Sequence, residues 1–289
     1  MRTTILCGLI ACAALVASGR SAWAGGGGEG AIAWRKSLPA AQAEAKRSHK
    51  LLMVDFYTSW CGFCKKLDAE TYTDANVIRL SEKVVTVKVD AERDGRQLAE
   101  KYGVTGFPTI LFLNETGGVE GMIGGFLPAY GFAKSFNDTM QRHQNFVLAQ
   151  ARYQKNSNDV KTAFDLEGFY AAQGNGAQTL AMQKQVERMD PQNAKGLLSR
   201  SCLYLGDFYS MRHAFDKSVP LYRRAIHLTR EPRDIAYGHL SLAYCSLSQN
   251  HLKQALPELK AVQAVSKCPL ELKGAAQQLL DKLKQQGVQ

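Results

Sequence analysis

Leu51-Leu52-Met53-Val54-Asp55-Phe56-Tyr57-Thr58-Ser59-Trp60-Cys61-Gly62-Phe63-Cys64-Lys65 decides the fold. The first seven residues are apolar apart from one acid, the pattern of a strand buried on both faces. From Cys61 the chain is expected to open a helix carrying Lys65, Lys66, Leu67 and Glu70. A helix N-terminus presents free N–H groups and the positive end of the helix dipole, and both favour a thiolate at Cys61. The thiolate, not the thiol, attacks a disulfide. Cys64 lies one helical turn on, spaced to attack the mixed disulfide that results, and Gly62 is expected to let the two sulfurs approach closely.

The flanking sequence builds a sheet around this turn. Ala40 to His49 reads as a helix, rich in Ala, Gln, Glu and Lys, with Pro39 suited to its first turn. Asp74 can cap a short helix through Leu80. Val84 to Asp90 is β-branched and strand-like. Asp94 to Tyr102 reads as a helix closed by Gly103. Thr109 to Leu113 and Val119 to Ile123 read as strands joined by the turn residues Glu115-Thr116-Gly117-Gly118. Pro128 to His143 reads as a closing helix. The order is that of an α/β unit with a small, mixed central sheet.

Two features away from the cysteines support redox chemistry. Asp55 sits inside the apolar strand, six residues before Cys61. A buried carboxylate has a raised pKa, and beneath the cysteines it could take the proton of Cys64. Gly106-Phe107-Pro108-Thr109 precedes a strand, and a cis Phe107–Pro108 bond would hold backbone beside the sulfurs, where an extended substrate can pair. Trp60 is expected to pack as a lid beside the sulfurs.

Val54-Asp55-Phe56, Trp60-Cys61-Gly62-Phe63-Cys64-Lys65, Val89-Asp90, Tyr102-Gly103-Val104, Phe107-Pro108-Thr109 and Gly124-Gly125 together resemble the thioredoxin superfamily in order and spacing, over about residues 31–143. The resemblance is strongest to exported thioredoxin-like proteins with signal peptides. It implies Cys61 as nucleophile, Cys64 as resolving thiol, Asp55 as buried acid/base and Pro108 as the cis-proline. It implies a substrate groove formed by Trp60, Gly62, Phe63, Phe107, Thr109, Gly124 and Gly125. This sequence departs from the family at Phe63, where thioredoxins have Pro and strong exported oxidants have His. Phe63 cannot donate a hydrogen bond to the Cys61 thiolate, so a more reducing pair than in those oxidants is expected. The lysine that commonly accompanies the buried acid falls near Thr86, with Lys88 two residues away on the same strand face; whether Lys88 replaces it is open at this level.

Residues 144–289 differ. They are helical nearly throughout, and they repeat. Cys202, Leu205, Gly206, Tyr209, Ser218, Tyr222 and Ala225 precede Pro232; His239, Leu242, Ala243, Ala255 and Leu259 precede Pro269; a weaker set, Leu166 and Tyr170, precedes Pro191. Such helix–turn–helix periodicity resembles tetratricopeptide repeats, about three copies with a capping helix from Leu270 to Lys284. The first copy departs from the pattern, with Glu167 at a small-residue position. An unrelated helical bundle is the alternative.

The N-terminus reads as a targeting segment. Arg2, the short apolar run Ile5–Ala17 and Ala22-Trp23-Ala24 fit a signal peptide at residues 1–24, cleaved after Ala24 and followed by a flexible Gly-rich stretch at 25–30. The run is short for a membrane anchor. Cys12 follows Leu9-Ile10-Ala11, a lipidation-like box, but cleavage there would leave an apolar mature end. The expected location is periplasmic or otherwise exported, without stable membrane insertion. Cys202, Cys245 and Cys268 read as buried small hydrophobes, with a Cys202–Cys245 bridge as the alternative. Net charge is +10, with 15 Lys/Arg against 14 Asp/Glu over 29–143 and 19 against 12 over 144–289. That excess fits a solvated face, or an acidic partner or membrane surface. Nucleic acid is not expected for an exported chain.

The expected activity is thiol–disulfide exchange on protein disulfides, as a reductase or isomerase rather than a strong oxidase. It would involve a redox partner that supplies or accepts electrons, and a protein partner on the helical half. No cofactor is implied. A closed zinc site needs four ligands, and no second CxxC or nearby His pair accompanies the cysteines, so no metal is assigned. The competing readings are a repeat-based scaffold with a docking thioredoxin-like domain, and delivery of a soft ion such as Cu(I) by the CxxC.

Overall fold

The computed structural model describes residues 30–288. The expected signal peptide at 1–24 and the expected flexible stretch at 25–30, save Gly30, lie outside the described residues.

Five strands form one sheet: β1 (Trp34–Arg35), β2 (Leu52–Tyr57), β3 (Val85–Asp90), β4 (Thr109–Leu113) and β5 (Val119–Gly124), in the order β1-β3-β2-β4-β5. β1, β3 and β2 run parallel, and β4 and β5 are antiparallel to their neighbours. The sheet is therefore mixed, as the order of elements implied. Side chains alternate along a strand. Leu52, Val54 and Phe56 of β2 meet Val85, Val87 and Val89 on one face, covered by α1 (Leu38–Ser48) and α4 (Arg96–Lys101) through Ala41, Ala45 and Ala99. Met53, Ile110 and Phe112 point to the other face. There they meet Leu67 and Tyr72 beyond α2 (Gly62–Lys66), Val77 and Leu80 of α3 (Ala75–Ser81), and Phe132 and Phe136 of α5 (Ala129–Lys155). Asp55 shares the parity of Met53, so its carboxylate points toward the layer that holds the cysteines.

Several boundaries differ from expectation. The first helix begins two residues earlier, because Ser37 caps it by accepting from the Ala40 N–H. α4 is shorter than 94–102, because the Asp94 carboxylate accepts from the Asp90 N–H in a preceding turn. β1, two residues long, is too short to leave a periodic signal. The closing helix does not stop at His143: α5 runs on to Lys155, since no Gly or Pro interrupts Gln144–Lys155, and Phe146 and Ala149 bury against the next helix. The change from the sheet to the helical half thus falls inside one continuous helix. At its base, the buried Glu120 of β5 accepts from Asn114 (2.8 Å) and from Gln173 of the helical half (2.9 Å).

The helical half contains α6 (Val160–Ala172), α7 (Gly176–Met189), α8 (Leu197–Ser210), α9 (Phe215–Leu228), α10 (Pro232–Ser248), α11 (Leu252–Ala264) and α12 (Leu270–Gln285). α6/α7, α8/α9 and α10/α11 pack as successive hairpins, and α12 closes the array on α11. Gly206 is small for a reason: a Cβ there would lie 2.6 Å from the Tyr222 ring of α9. A further repeat signal, unread in the sequence, is the proline at the sixth position of both α9 and α11, Pro220 and Pro257. Cys202, Cys245 and Cys268 are free and buried, so the Cys202–Cys245 bridge is not formed. Among the described residues no helix is long and apolar enough to cross a membrane.

Candidate active site

β2 ends at Tyr57 and α2 begins at Gly62, and the turn between them is closed by the Cys61 N–H donating to the Thr58 carbonyl (3.2 Å). Cys61 is the N-cap of α2. It is bonded to Cys64 in a disulfide, with the Cα atoms 5.3 Å apart. Both cysteines are buried. Cys61 Sγ also accepts from the Cys64 N–H at 3.0 Å. That N–H is one of the unpaired donors of the helix start, so once the bond is reduced it stays aimed at the charge on Cys61.

α2 is short. At Leu67 the chain passes into a π-helical turn, Leu67–Thr71, closed by the Tyr72 N–H donating to the Leu67 carbonyl (3.0 Å). Such wide turns concentrate at functional sites. The turn brings Asp68 and Tyr72 over the sheet at the point where Asp55 and Lys88 are cross-strand partners. Lys88 Nζ lies 3.5 Å from Asp55 Oδ2 and also contacts Asp68. The rings of Trp34, Tyr57 and Tyr72 stand 5.4–5.5 Å from the same ammonium. Lys88 is therefore the cation that faces the buried acid, and the question left by the sequence is answered by register.

Asp55 is 1 % exposed. Burial raises its pKa to about 6; Lys88 opposes that shift, the charge of Asp68 adds to it, and the Tyr72 hydroxyl pulls it down. Tyr72 stops short of a formed hydrogen bond, and Asp55 Oδ1 and the Tyr72 hydroxyl are both without a partner. Burial likewise raises the Tyr72 phenol, which leaves it a neutral hydroxyl beside the acid. A carboxyl that titrates near neutrality on the face beneath α2 is suited to holding or passing a proton.

The remaining expected residues are linked by contacts with the cysteine turn or with one another: Trp60 with Phe107, Gly125 with Pro108, and Thr109 with Gly124. The Phe107–Pro108 bond is cis. The Gly125 N–H donates to the Pro108 carbonyl (2.8 Å), and Gly125 has φ +76°, a conformation that favours glycine. Thr109 is buried, with its hydroxyl donating to the Gly106 carbonyl (2.7 Å). Trp60 is 65 % exposed; its indole N–H is shared between both carboxylate oxygens of Glu92 (3.1 Å each), and its edge meets the Phe107 ring. Trp60 thus packs against Phe107 next to the cysteine turn with much of its ring in solvent. Phe63 is 62 % exposed and stacks on Phe126. A Cβ at Gly62 would meet nothing within 4 Å beyond its chain neighbours and its own helix, so the expectation that glycine at 62 lets the sulfurs approach finds no steric support.

Asp68, Tyr72, Glu92 and Phe126 were not foreseen. Asp68 had a readable signal, four residues after Cys64 and so on the same side of a helix. Among the described residues no three His, Cys, Asp or Glu side chains converge as a metal site. A separate groove of about 660 Å³ lies in the helical half, between α5, α6 and α8, with Arg152, Phe164, Gly168 and Tyr204 in its walls.

Residues 38–140 match a family profile described as a thioredoxin-like domain. The chain is similar to protein disulfide isomerase-like 5-2 of Oryza sativa subsp. japonica, 49% identical over 61 residues, which is 21% of this chain and 14% of that protein. It is also similar to the thiol:disulfide interchange protein DsbD of Pasteurella multocida, 34% identical over 96 residues, 32% of this chain and 17% of that protein. The chain thus spans less than a fifth of the length of these relatives. A solved structure titled a putative disulphide-isomerase from Bacteroides thetaiotaomicron is 35% identical, over 38% of this chain and 93% of that one, with a TM-score of 0.35.

Proposed function

We propose that the chain is a thiol–disulfide oxidoreductase acting on protein disulfides, as a reductase or isomerase, through the thioredoxin-like region at residues 38–140. The observation that carries this reading is the Cys61–Cys64 disulfide at the head of α2, with the Cys64 N–H directed at Cys61 Sγ. In the reduced pair the Cys61 thiolate attacks one sulfur of a substrate disulfide. The substrate S–S bond breaks, a Cys61–substrate disulfide forms, and one substrate thiolate leaves. Cys64 then gives its proton to Asp55 and attacks Cys61 Sγ, which re-forms the intramolecular disulfide and frees the second substrate thiol. Two electrons pass to the substrate, and a dithiol partner must return them to the pair.

The proposal extends to location and partners. The N-terminal 24 residues direct export, and the helical half holds a client or redox partner. Intact chain recovered from the cell exterior or periplasm should begin at Gly25; a chain retaining Met1 would count against export with cleavage.

Trapping tests the chemistry. With Cys64→Ser, Cys61 should accumulate mixed disulfides that dithiothreitol releases, and the wild type should reduce insulin. If neither adducts nor insulin reduction is found, the scaffold reading replaces the enzyme.

A further inference from the structure

The buried acid of β2 is matched at one oxygen only. Asp55 Oδ2 lies 3.5 Å from Lys88 Nζ, whereas Asp55 Oδ1 has no partner. The Tyr72 hydroxyl has none either, and it is close enough for each group to shift the acidity of the other. Two buried polar atoms left unpaired side by side are costly. A phenylalanine at 72 would fill the same space with no hydroxyl to bury. The ring is nonetheless fixed. Trp34 and Phe132 meet it edge-on, with centroids 5.1 and 5.6 Å away, and the Tyr72 N–H closes the π-helical turn on the Leu67 carbonyl. The structure holds the disulfide, the state in which Cys64 has no proton to give. The missing bond therefore belongs to the reduced chain. The other groups that act on Asp55 cannot supply it. The Lys88 ammonium of β3 only donates, so it serves the ionised acid and not the protonated one. Asp68 of the π-helical turn carries a like charge and contacts Lys88. Ile110, the cross-strand partner on β4, is apolar. A phenol both donates and accepts.

We propose that Tyr72 is a positioning residue for the proton step: in the reduced chain its hydroxyl donates to Oδ1 of the Asp55 carboxylate, and it accepts from Oδ1 once that oxygen has taken the Cys64 proton. This rests on the oxidoreductase reading and deepens it. Lys88 stands at Oδ2, which leaves Oδ1 to receive the proton. The Cys64 S–H bond breaks as the O–H bond on Oδ1 forms. The sulfur keeps the electron pair and attacks Cys61 Sγ. The phenol keeps its own proton throughout, because burial raises it well above its ordinary range.

Tyr72→Phe removes the hydroxyl and keeps the ring between Trp34 and Phe132. Two measurements on the full chain test it: the carbon-13 shift of the Asp55 carboxyl against pH in the reduced protein, and the pH profile of insulin reduction. Loss of a hydrogen bond to the charged form should raise the Asp55 midpoint by about one pH unit. The acid limb of insulin reduction should move up by the same amount. An unmoved midpoint overturns the proposal. So does a rate lowered equally at every pH, which would make the hydroxyl a packing group. A midpoint that rises while the insulin profile stays in place would remove Tyr72 from the proton step and overturn it as well. If the wild type reduces no insulin, the oxidoreductase reading itself falls, whatever the carboxyl midpoint does, and the proton step falls with it.

Discussion

Each half of the molecule buries a carboxyl, and the two are kept in opposite ways. Asp55 of β2 faces the Lys88 ammonium at 3.5 Å and titrates near 6. Glu167 of α6 is 0% exposed, neither of its oxygens has a hydrogen-bond partner, and no cation opposes its burial, so it is raised further, to about 8. The Ser201 hydroxyl of α8 lies close enough to temper that shift but forms no hydrogen bond. A buried acid with a counter-charge can change its charge near neutral pH without leaving its place. One without a counter-charge stays protonated at neutral pH and serves only the packing.

The largest effect should come from removing the lone acid. The Glu167 pKa is raised from 4.5 to about 8 on folding. The native state therefore binds the proton more tightly, and the stability this brings is complete below pH ~4.5 and lost as pH rises through about 8. Glu167→Gln should match the wild type near pH 4.5 and exceed it at pH 9 by on the order of 3–5 kcal/mol, because it has no charge to bury. Urea unfolding at the two pH values reads this directly. Equal stability gaps at both would show that Glu167 reaches solvent or a partner, and the contrast with Asp55 would disappear.

Turning Asp55 into a second lone acid is the next largest change. Lys88→Met removes the cation that opposes burial, so the Asp55 pKa should rise further, toward the value Glu167 has. Below pH 5 both forms carry a neutral Asp55 and should be similar in stability. At pH 8 the variant should be weaker by about 3 kcal/mol, the low end for breaking a buried pair, since Asp55 can escape by keeping its proton. The alkaline shift should also appear in the pH profile of insulin reduction. An unshifted profile would mean that Lys88 does not set the charge of Asp55.

Asp55→Asn separates chemistry from stability. Above pH 6 the wild-type carboxylate is ionised against the cost of its burial, so the neutral amide should not destabilise the fold. If Asp55 receives the Cys64 proton as proposed, resolution of the mixed disulfide should slow by about 100-fold, a usual contribution of a positioned acid/base. Acid-quenched chromatography follows that step. An Asn variant that resolves at the wild-type rate would leave Asp55 a structural acid like Glu167.

How much of this could be read beforehand depends on the range of the interaction. Strand parity and the CxxC turn are local, so β2, the head of α2, the cis Phe107–Pro108 bond and the β4–β5 turn were all legible. Lys88 was visible only as a neighbour of the usual lysine position, because its pairing is set by the β2–β3 register, which one strand does not encode. The π-helical turn was hidden, since Leu67–Thr71 carries ordinary helix residues and widens only where Tyr72 packs into the core. Phe126 follows Gly124-Gly125 and reads as a loop residue until Phe63 is found against it. Glu167 was marked as a misfit among small residues; that it is both buried and alone follows only from how α6 meets α8.

Asp68 gives the finest adjustment of the contrast. It lies on the π-helical turn, half-exposed, and shares Lys88 with Asp55. Its charge raises the Asp55 pKa, and it contacts the same ammonium that lies 3.5 Å from Asp55. Asp68→Asn removes the like charge and frees Lys88 to move inward, so both effects lower the Asp55 pKa. The acid limb of the insulin-reduction profile should shift to lower pH by a few tenths of a unit, because solvent screens a partly exposed charge. A lower Asp55 pKa lies closer to the ordinary value of 3.8, so less stability should be lost between pH 4 and 7 than in the wild type. A shift to higher pH would mean that Asp68 holds Lys88 in place for Asp55 instead of competing for it, and the π-helical turn would then serve to deliver the cation.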